Sequence, residues 1–192
     1  MCGIAGFWRV KSSCADDGQK IAAMAHALAH RGPDDFGFLL ADSRAKSCRS
    51  SQNPAANSQK SDDVFLANRR LVITDLSDGG RQPLSNENGD IWVVFNGAIH
   101  NYPELRAQLR SLGHVFRTQT DTEIIAHAYE EWGADCARRF NGMWAYAIWD
   151  ARAQKLVLSR DRFGIKPLLF ARTKNAFWFA SEAKAIFAGG EV

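Results

Sequence analysis

The stretch that decides the fold opens the chain and reads Met1-Cys2-Gly3-Ile4-Ala5-Gly6-Phe7-Trp8. Its apolar part, residues 4–8, predicts a strand that ties the terminus into a core, although chain termini usually fray. An initiator methionine is normally trimmed when the next side chain is small, as cysteine is. We therefore expect Cys2 to become the first residue of the mature chain.

A mature Cys2 would carry both a thiol and a free α-amine. The thiolate is the nucleophilic form of cysteine. An α-amine with a pKa of roughly 7.7–8.0 is partly unprotonated near neutral pH, and a nucleophile activated by the terminal amine is a known catalytic arrangement. On position alone, the simpler interpretation is a cysteine that stands here by chance.

Composition and charge narrow the function classes. A chain of 192 residues with 46% apolar residues suits one globular domain with a sizeable core. The net charge is +3 and the basic residues are interleaved with acidic ones, which argues against nucleic-acid binding. The sequence has neither a long apolar run nor a basic leader, so we expect no membrane span and no signal peptide, and a cytoplasmic location.

Cysteine and histidine spacing gives no indication of a metal site. The cysteines are Cys2, Cys14, Cys48 and Cys136, and no two form a C-x-x-C pair. This pattern is typical of free thiols in a reducing compartment. Because the five histidines form no ligand set with these cysteines, we expect no metal in this domain.

The pattern of apolar residues predicts an α+β fold, with antiparallel runs of strands and helices between them. Capping residues and helical spacing predict helices over 19–29, 102–112, 121–132 and 181–187. Strands are predicted over 36–40, 64–67, 71–74, 91–95, 143–149, 155–159, 168–171 and 176–180. Residues 42–62 are rich in Ser, Asn and Gln, which predicts a mobile surface loop.

Three further positions have the chemistry of a site. Asn96-Gly97 follows a strongly apolar strand, and an Asn side-chain N–H with a Gly backbone N–H would make an oxyanion hole. The pair alone is more often a turn. Arg70 and Asp121 would hold the carboxylate and the ammonium of a free amino acid. Without other evidence, a surface arginine and a helix N-cap are the simpler interpretations.

Several specific motifs occur together along nearly the whole chain. In order they are Cys2-Gly3-Ile4-Ala5-Gly6, His30-Arg31-Gly32-Pro33-Asp34, Arg70-Leu71-Val72-Ile73-Thr74-Asp75, Gln82-Pro83, Phe95-Asn96-Gly97, Asp121-Thr122-Glu123, Asn141-Gly142-Met143 and Arg160-Asp161-Arg162-Phe163-Gly164-Ile165-Lys166-Pro167-Leu168. Taken together they resemble the glutaminase domain of class II glutamine amidotransferases, in the branch of glutamine-hydrolysing asparagine synthetases. The resemblance covers Cys2 to about Phe187.

The resemblance implies a fold and a reaction. The fold would be that of an N-terminal-nucleophile hydrolase, an αββα sandwich of two antiparallel sheets between helix layers, over residues 2–188. Cys2 would attack the side-chain amide of L-glutamine with its own α-amine as base. Asn96 and the Gly97 N–H would stabilise the oxyanion, and water would hydrolyse the resulting thioester.

The resemblance also assigns the substrate pocket. Arg70 would hold the glutamine carboxylate and Asp121 its ammonium, while Arg31 would buttress the nucleophile. The pocket would further be lined by Leu71, Ile73 and Thr74 through their backbones. Position 98 belongs to this pocket too, but it holds Ala98 where the family usually has a glutamate that helps to hold the ammonium.

The resemblance implies no cofactor in this domain. ATP and Mg²⁺ belong to the synthetase half of the family, and no Ser-Gly-Gly-x-Asp nucleotide loop occurs in this sequence. The expected partner is therefore a synthetase-like domain or subunit that would accept the ammonia, with a homodimer left open. Residues 160–168 would face that partner or shape the ammonia exit.

Two other functions stay open at this stage. The domain could be a degenerate, non-catalytic module that binds an amino acid or a partner synthetase, with Ala98 as the sign of decay. It could also be an N-terminal-nucleophile hydrolase acting on another amide. Retention of Cys2, Asn96 and Gly97 favours an enzyme, and the Arg70 and Asp121 pair favours an amino-acid substrate.

Overall fold

The computed structural model describes residues 1–10, 14–72 and 78–192. Within these ranges the strands are β1 (Gly3–Arg9), β2 (Asp35–Asp42), β3 (Ser47–Ser51), β4 (Val64–Arg70), β5 (Leu84–Ser85), β6 (Ile91–Ile99), β7 (Gly142–Asp150), β8 (Lys155–Arg160), β9 (Leu169–Arg172) and β10 (Ala176–Ala180). The α-helices are α1 (Asp17–Ala27), α2 (Pro54–Asn57), α3 (Tyr102–Ser111), α4 (Asp121–Trp132) and α5 (Ala183–Ala188).

The strands form two antiparallel sheets. The larger sheet has six strands in the order β3-β2-β4-β1-β10-β9, and the smaller has four in the order β5-β6-β7-β8. Strand β1 lies inside the larger sheet, where it pairs with β4 on one side and β10 on the other. The strand predicted from the opening stretch is thus confirmed, and it anchors Cys2 beside the end of β4.

The two sheets stack face to face between helices. One apolar cluster joins the two sheets to each other, and it includes Ile4, Val94 and Trp149. A second lies between the six-stranded sheet and helices α1 and α5, and a third between the four-stranded sheet and helices α3 and α4. The layers therefore run helix, sheet, sheet, helix, which confirms the predicted αββα sandwich.

The inner strands are apolar on both faces because each face is covered. In β1, Ile4 points into the core between the sheets, whereas Ala5 and Phe7 point toward the helices. Successive side chains of a strand point to opposite faces, so a strand covered on both sides reads as a continuous apolar run.

Residues 42–62 are more regular than their composition predicted. Strand β3 extends the edge of the larger sheet by pairing with β2, and α2 follows with its first turn capped by Asn53. Asp62 is buried and pairs with the guanidinium of Arg49 at 2.7 Å. The predicted loop is therefore wrong for residues 47–51 and 54–57, because strand pairing and ion pairing order a segment that has little apolar surface. The predicted mobility of the segment stays a prediction.

The remaining boundaries need two corrections. Strand β6 continues through Asn96-Gly97 to Ile99, so the predicted end at residue 95 is wrong. Leu71 and Val72 are not in a strand, and the rest of the strand predicted over 71–74 lies outside the described residues. No helix in the described part of the chain is long and apolar enough to cross a membrane.

Candidate active site

Most of the predicted site residues line one cavity of about 270 Å³. It lies where β1, β4, β6 and the start of α4 come together. Its lining includes Cys2, Arg70, Leu71, Asn96, Gly97, Ala98 and Asp121. A larger cavity of about 720 Å³, lined in part by Trp8 and Ser43, contains none of the predicted residues. The smaller cavity is the candidate active site because the predicted residues line it, although the other cavity has the larger volume.

The Cys2 thiol is held against the backbone of Leu71. The Leu71 N–H donates to Sγ of Cys2 at 3.4 Å, and the same Sγ lies 3.8 Å from the Leu71 carbonyl oxygen. Antiparallel pairing of β1 with β4 sets Gly3 opposite Arg69, and this register brings Cys2 beside the residues that follow β4. Cys2 and Leu71 thus lie side by side in the lining of the cavity.

Met1 lies in the same cavity. Its side chain is half exposed, and Sδ lies 3.3 Å from the Nζ of Lys166. While Met1 is present, the nitrogen of Cys2 is an amide and has no basic lone pair. Removal of Met1 would convert that nitrogen into an amine at the edge of the cavity.

Arg31 holds the backbone of Cys2 from the other side. Its Nε donates to the Cys2 carbonyl oxygen at 2.9 Å, and its NH1 donates to Oε1 of Glu182 at 2.8 Å. The Arg31 guanidinium lowers the pKa of Glu182 to about 2, although burial opposes the shift. The loop after α1 and the start of α5 are thus tied to the nucleophile, which is the position expected of a buttress.

Asn96 lines the cavity and carries a hydrogen-bond donor there. The side chain is buried, and Nδ2 has no hydrogen-bond partner among the residues that the structure describes. Buried polar atoms are nearly always paired, so an unpaired donor calls for an explanation. Because Asn96 lines the same cavity as Cys2, an oxyanion formed on a bound substrate is a fitting partner.

The backbone N–H of Gly97 points toward the edge of β6 that is turned away from β7. Alternate residues of a strand direct their N–H groups to the same side. On either side of Gly97, the Phe95 N–H donates to Oε1 of Gln82 at 2.7 Å and the Ile99 N–H donates to Oδ2 of Asp121 at 2.9 Å. The Gly97 N–H therefore points away from β7, between two groups that bound the cavity.

Arg70 ends β4 and is buried beside Gly80. A Cβ atom at Gly80 would collide with the Arg70 guanidinium. The position of the guanidinium thus depends on a glycine in the short 3₁₀ turn Asp78–Gly80. Both residues line the cavity, as a substrate clamp requires.

Asp121 lies at the start of α4, across the cavity. Thr120 occupies the N-cap position, so the prediction of Asp121 as the N-cap is one residue off. The Asp121 carboxylate bonds to the Ile99 N–H at 2.9 Å. Burial raises its pKa, while backbone N–H groups of Ile99 and the first turn of the helix act in the opposite direction.

Ala98 also lines the cavity and offers only a methyl group there. It lies on the same face of β6 as Asn96, two residues away, as strand periodicity requires. Ile73 and Thr74, the other two residues expected to line the pocket, lie outside the described residues.

Lys166 and Gln82 are among the cavity residues that were not predicted from the sequence. Lys166 is buried and lines the cavity, although the motif that contains it suggested only a partner-facing segment. Asp161 shapes this loop: burial opposes its ionisation, but backbone N–H donors that include Lys166 and Ile165 lower its pKa. Gln82 is the second missed residue, and its Nε2 donates to Oγ1 of Thr122 at 3.2 Å. The Gln82-Pro83 motif was the feature of the sequence that could have identified Gln82 as a cavity residue.

The architecture matches solved amidotransferases. A glutamine phosphoribosylpyrophosphate amidotransferase from B. subtilis, solved with ADP and GMP, superposes with a TM-score of 0.78 at 23% identity, over 98% of this chain and 44% of that chain. A structure described as the allosteric regulatory enzyme of purine biosynthesis gives a TM-score of 0.79 at 24% identity, over 98% and 43%. The fold is that of N-terminal-nucleophile amidotransferases.

Sequence comparison identifies the family. The profile described as a glutamine amidotransferase domain matches residues 49–192. Asparagine synthetase [glutamine-hydrolyzing] 3 of Bacillus subtilis is 34% identical over 100% of this chain and 28% of its own length. Asparagine synthetase [glutamine-hydrolyzing] 2 of the same organism is 40% identical over 97% and 22%. The chain belongs to the glutamine amidotransferase domain family.

The relatives are much longer than this chain. A putative asparagine synthetase [glutamine-hydrolyzing] 2 of Methanocaldococcus jannaschii is 34% identical over 100% of this chain, yet the match spans 36% of that protein. The chain thus corresponds to about a quarter to a third of these relatives, and their similarity extends over its whole length.

Proposed function

We propose that this domain hydrolyses the side-chain amide of L-glutamine to glutamate and ammonia. The observation that carries the proposal is one cavity that holds the Cys2 thiol together with the buried, unpaired Nδ2 of Asn96. A nucleophile beside a preorganised donor is the arrangement that acyl transfer needs. Family membership points to glutamine as the amide.

The first half of the reaction forms a thioester. With Met1 removed, the α-amine of Cys2 takes the thiol proton and the sulfur attacks the amide carbon. The carbonyl electron pair moves onto oxygen, where Asn96 Nδ2 and the Gly97 N–H stabilise the charge. When the oxyanion collapses, the carbon–nitrogen bond breaks and the α-ammonium returns its proton to the leaving nitrogen, which departs as ammonia.

The second half consumes water. The α-amine takes a proton from water as the oxygen attacks the thioester carbon, and the same donors stabilise the second oxyanion. The carbon–sulfur bond then breaks, glutamate forms, and the proton returns to the thiolate. No other co-reactant is required.

Substrate selection rests on opposite charges at the two sides of the cavity. The Arg70 guanidinium suits the α-carboxylate, since its planar donors match a carboxylate in two places. Asp121 suits the α-ammonium. An amide that lacks either group, such as a simple aliphatic amide, would not make that charge-assisted contact with the cavity.

We further propose that the ammonia passes to an ATP-dependent synthetase domain or subunit, in the cytoplasm. The names of the relatives and their greater length support this partner. Phe163 and Phe170 are 89% and 69% exposed, which provides apolar surface for an interface. ATP and Mg²⁺ would bind to that partner.

The experiment measures intact mass and then glutamate release from glutamine. We expect a mass lacking Met1, and release that disappears in Cys2→Ala. Ala98 favours one competing function, a non-catalytic module that binds an amino acid. A trimmed, folded protein that binds glutamine without releasing glutamate would establish that alternative and refute the enzyme.

A further inference from the structure

A cluster of two histidines and two glutamates lies at the far end of α4 from the candidate active site. Its members are Glu87, His114, His127 and Glu130, and one potential ligand atom from each lies within 4.8 Å of the others. Glu87 comes from the turn between β5 and β6, and His114 from the segment after α3. His127 and Glu130 lie one turn apart on α4.

The two imidazoles face each other through the same ring atom. Nδ1 of His114 lies 3.2 Å from Nδ1 of His127, and the latter lies 3.2 Å from Oε2 of Glu87. Oε2 of Glu130 lies 4.0 Å from Nδ1 of His114. Bonds of about 2.0–2.2 Å from zinc to nitrogen and oxygen ligands place tetrahedral ligands about 3.3–3.6 Å apart. The observed separations of 3.2 Å and 4.0 Å lie just below and just above that range.

Each histidine also has a carboxylate behind it. Nε2 of His114 lies 3.3 Å from Oε2 of Glu131, and Nε2 of His127 lies 3.7 Å from Oε1 of Glu123. Histidines that bind metals usually direct their second ring nitrogen to a carboxylate or carbonyl, which fixes the tautomer and the ring orientation. The 3.7 Å separation at His127 is too long for a hydrogen bond, and Nε2 of His127 has no hydrogen-bond partner among the described residues. With the proton of each ring on Nε2, both Nδ1 atoms would carry lone pairs that point toward the centre of the cluster.

The centre of the cluster is short of positive charge and of donors. His127 is fully buried, and Oε2 of Glu87 accepts no hydrogen bond within the described residues, although it lies 3.2 Å from Nδ1 of His127. At most one proton fits between the two Nδ1 atoms. Glu130 is oriented from outside the cluster, since Nδ2 of Asn86 donates to it at 3.0 Å and Arg152 at 3.2 Å. A divalent cation would satisfy the inward lone pairs together.

We propose that Glu87, His114, His127 and Glu130 form a binding site for one divalent transition-metal ion, with zinc the best match. Two imidazole nitrogens and two carboxylate oxygens are ligands that zinc accepts in tetrahedral geometry. The ion would fasten the β5–β6 turn and the segment after α3 to α4, the helix that presents Asp121 to the active site. The sequence predicted no metal because the ligands are scattered along the chain.

The test is a Zn²⁺ titration of the full chain after chelator treatment, in competition with a chromophoric chelator. Thiols elsewhere could bind zinc, so the titration is repeated in Cys2→Ala/Cys14→Ser. We expect one Zn²⁺ per chain in both proteins. His114→Gln should weaken binding at least about tenfold, and Glu131→Gln about 10–100-fold, as is usual for outer partners of metal-binding histidines. His26→Gln, which changes an exposed histidine elsewhere, is the matched control.

A second readout is the visible spectrum of the Co²⁺-loaded protein, where tetrahedral coordination gives intense d–d bands that His114→Gln should abolish. Should His114→Gln unfold, Glu87→Gln replaces it, because the Glu87 side chain is partly exposed. Absence of stoichiometric Zn²⁺ binding would overturn the proposal. So would equal affinity in wild type and the ligand variants, or binding that disappears with the thiols.

Discussion

The backbone N–H of Leu71 donates a hydrogen bond of 3.4 Å to the Sγ of Cys2. This contact joins the first residues of β1 to the chain just after β4, and it holds the thiol beside a cavity that Asn96 and Gly97 also line. Because the donor is a backbone N–H, a different side chain at position 71 would keep the same contact. The chemistry of the cavity therefore depends most on the other side chains that line it.

Asn96→Ala should reduce kcat for glutamine hydrolysis by about 10²–10³, with little change in KM, because one oxyanion donor is lost. Its thermal midpoint should change little, since Nδ2 has no partner to lose within the described residues. Asn68→Ala is the contrast: Asn68 Nδ2 donates to the Phe95 carbonyl oxygen at 3.2 Å, so stability should fall. Unchanged kcat in Asn96→Ala would exclude the oxyanion role.

Ala98→Glu should lower the KM for glutamine. A carboxylate at this position would add a charged hydrogen bond to the substrate ammonium, a gain of about tenfold or more if the geometry is good. Ala98→Gln has a similar shape without the charge and should recover much less. Steady-state kinetics on the three proteins decides the matter, and identical KM values would show that position 98 does not contact the ammonium.

The affinity for glutamine should fall as the pH is lowered into the acid range. Asp121 must be ionised to hold the ammonium, and burial raises the pKa of its carboxyl above the ordinary value of 3.8. Protonation therefore sets in at a higher pH than for an exposed aspartate. Glutamine binding to Cys2→Ala, followed against pH, measures the effect. Adding Asp121→Asn should weaken binding and flatten the profile, and an unaltered profile would argue against the clamp.

Gly80→Ala should raise the KM for glutamine while the protein stays folded. The new Cβ would meet the Arg70 guanidinium, which is the far end of a flexible side chain and can move aside. Displacement of Arg70 removes its contact with the substrate carboxylate. Arg70→Lys should produce a KM defect of the same kind, because the fork-shaped donor is lost. Wild-type kinetics in Gly80→Ala would show that Arg70 tolerates the crowding in place.

Glu182→Gln should change how stability depends on pH. The Arg31 guanidinium holds the pKa of Glu182 at about 2, below the value of about 4.3 for an unfolded chain. The contribution is therefore present above about pH 4.3 and is lost as the pH falls toward 2. Thermal midpoints of wild type should drop more steeply across that window than those of Glu182→Gln. Parallel curves would show that the ion pair adds nothing to stability.

Much of the candidate site could be predicted from the sequence because it is carried by short, distinctive motifs. Cys2 after an initiator methionine, and Asn96-Gly97 after an apolar run, are local signals whose chemistry depends on residue type. Most of the predicted strands and helices agree for the same reason, since apolar periodicity is read within a few residues, but the strand predicted over 71–74 does not. Ile73 and Thr74 stay predictions.

The extent of some strands depends on pairing with a neighbouring strand, and no local sequence pattern shows which strands will be neighbours. Within the polar residues 42–62, Ser47–Ser51 form β3 because the edge of β2 is available for pairing. Strand β6 continues past Asn96-Gly97 because β7 pairs with it along its whole length. The composition of residues 42–62 predicted a loop, and the turn preference of Asn96-Gly97 predicted the end of a strand. Pairing with a neighbouring strand overrides such preferences.

The sequence by itself determined the order of most elements and the α+β class, because apolar periodicity is read within a few residues. Its resemblance to a known family implied the αββα sandwich and the residues expected to act as nucleophile, oxyanion donor and substrate clamp. Only the tertiary structure decided that Lys166 lines the cavity. It also decided that His114 and His127 face each other, with Glu87 of the β5–β6 turn beside them. Contacts of that kind join residues far apart in the chain, and they exist only after the sheets and helices have packed.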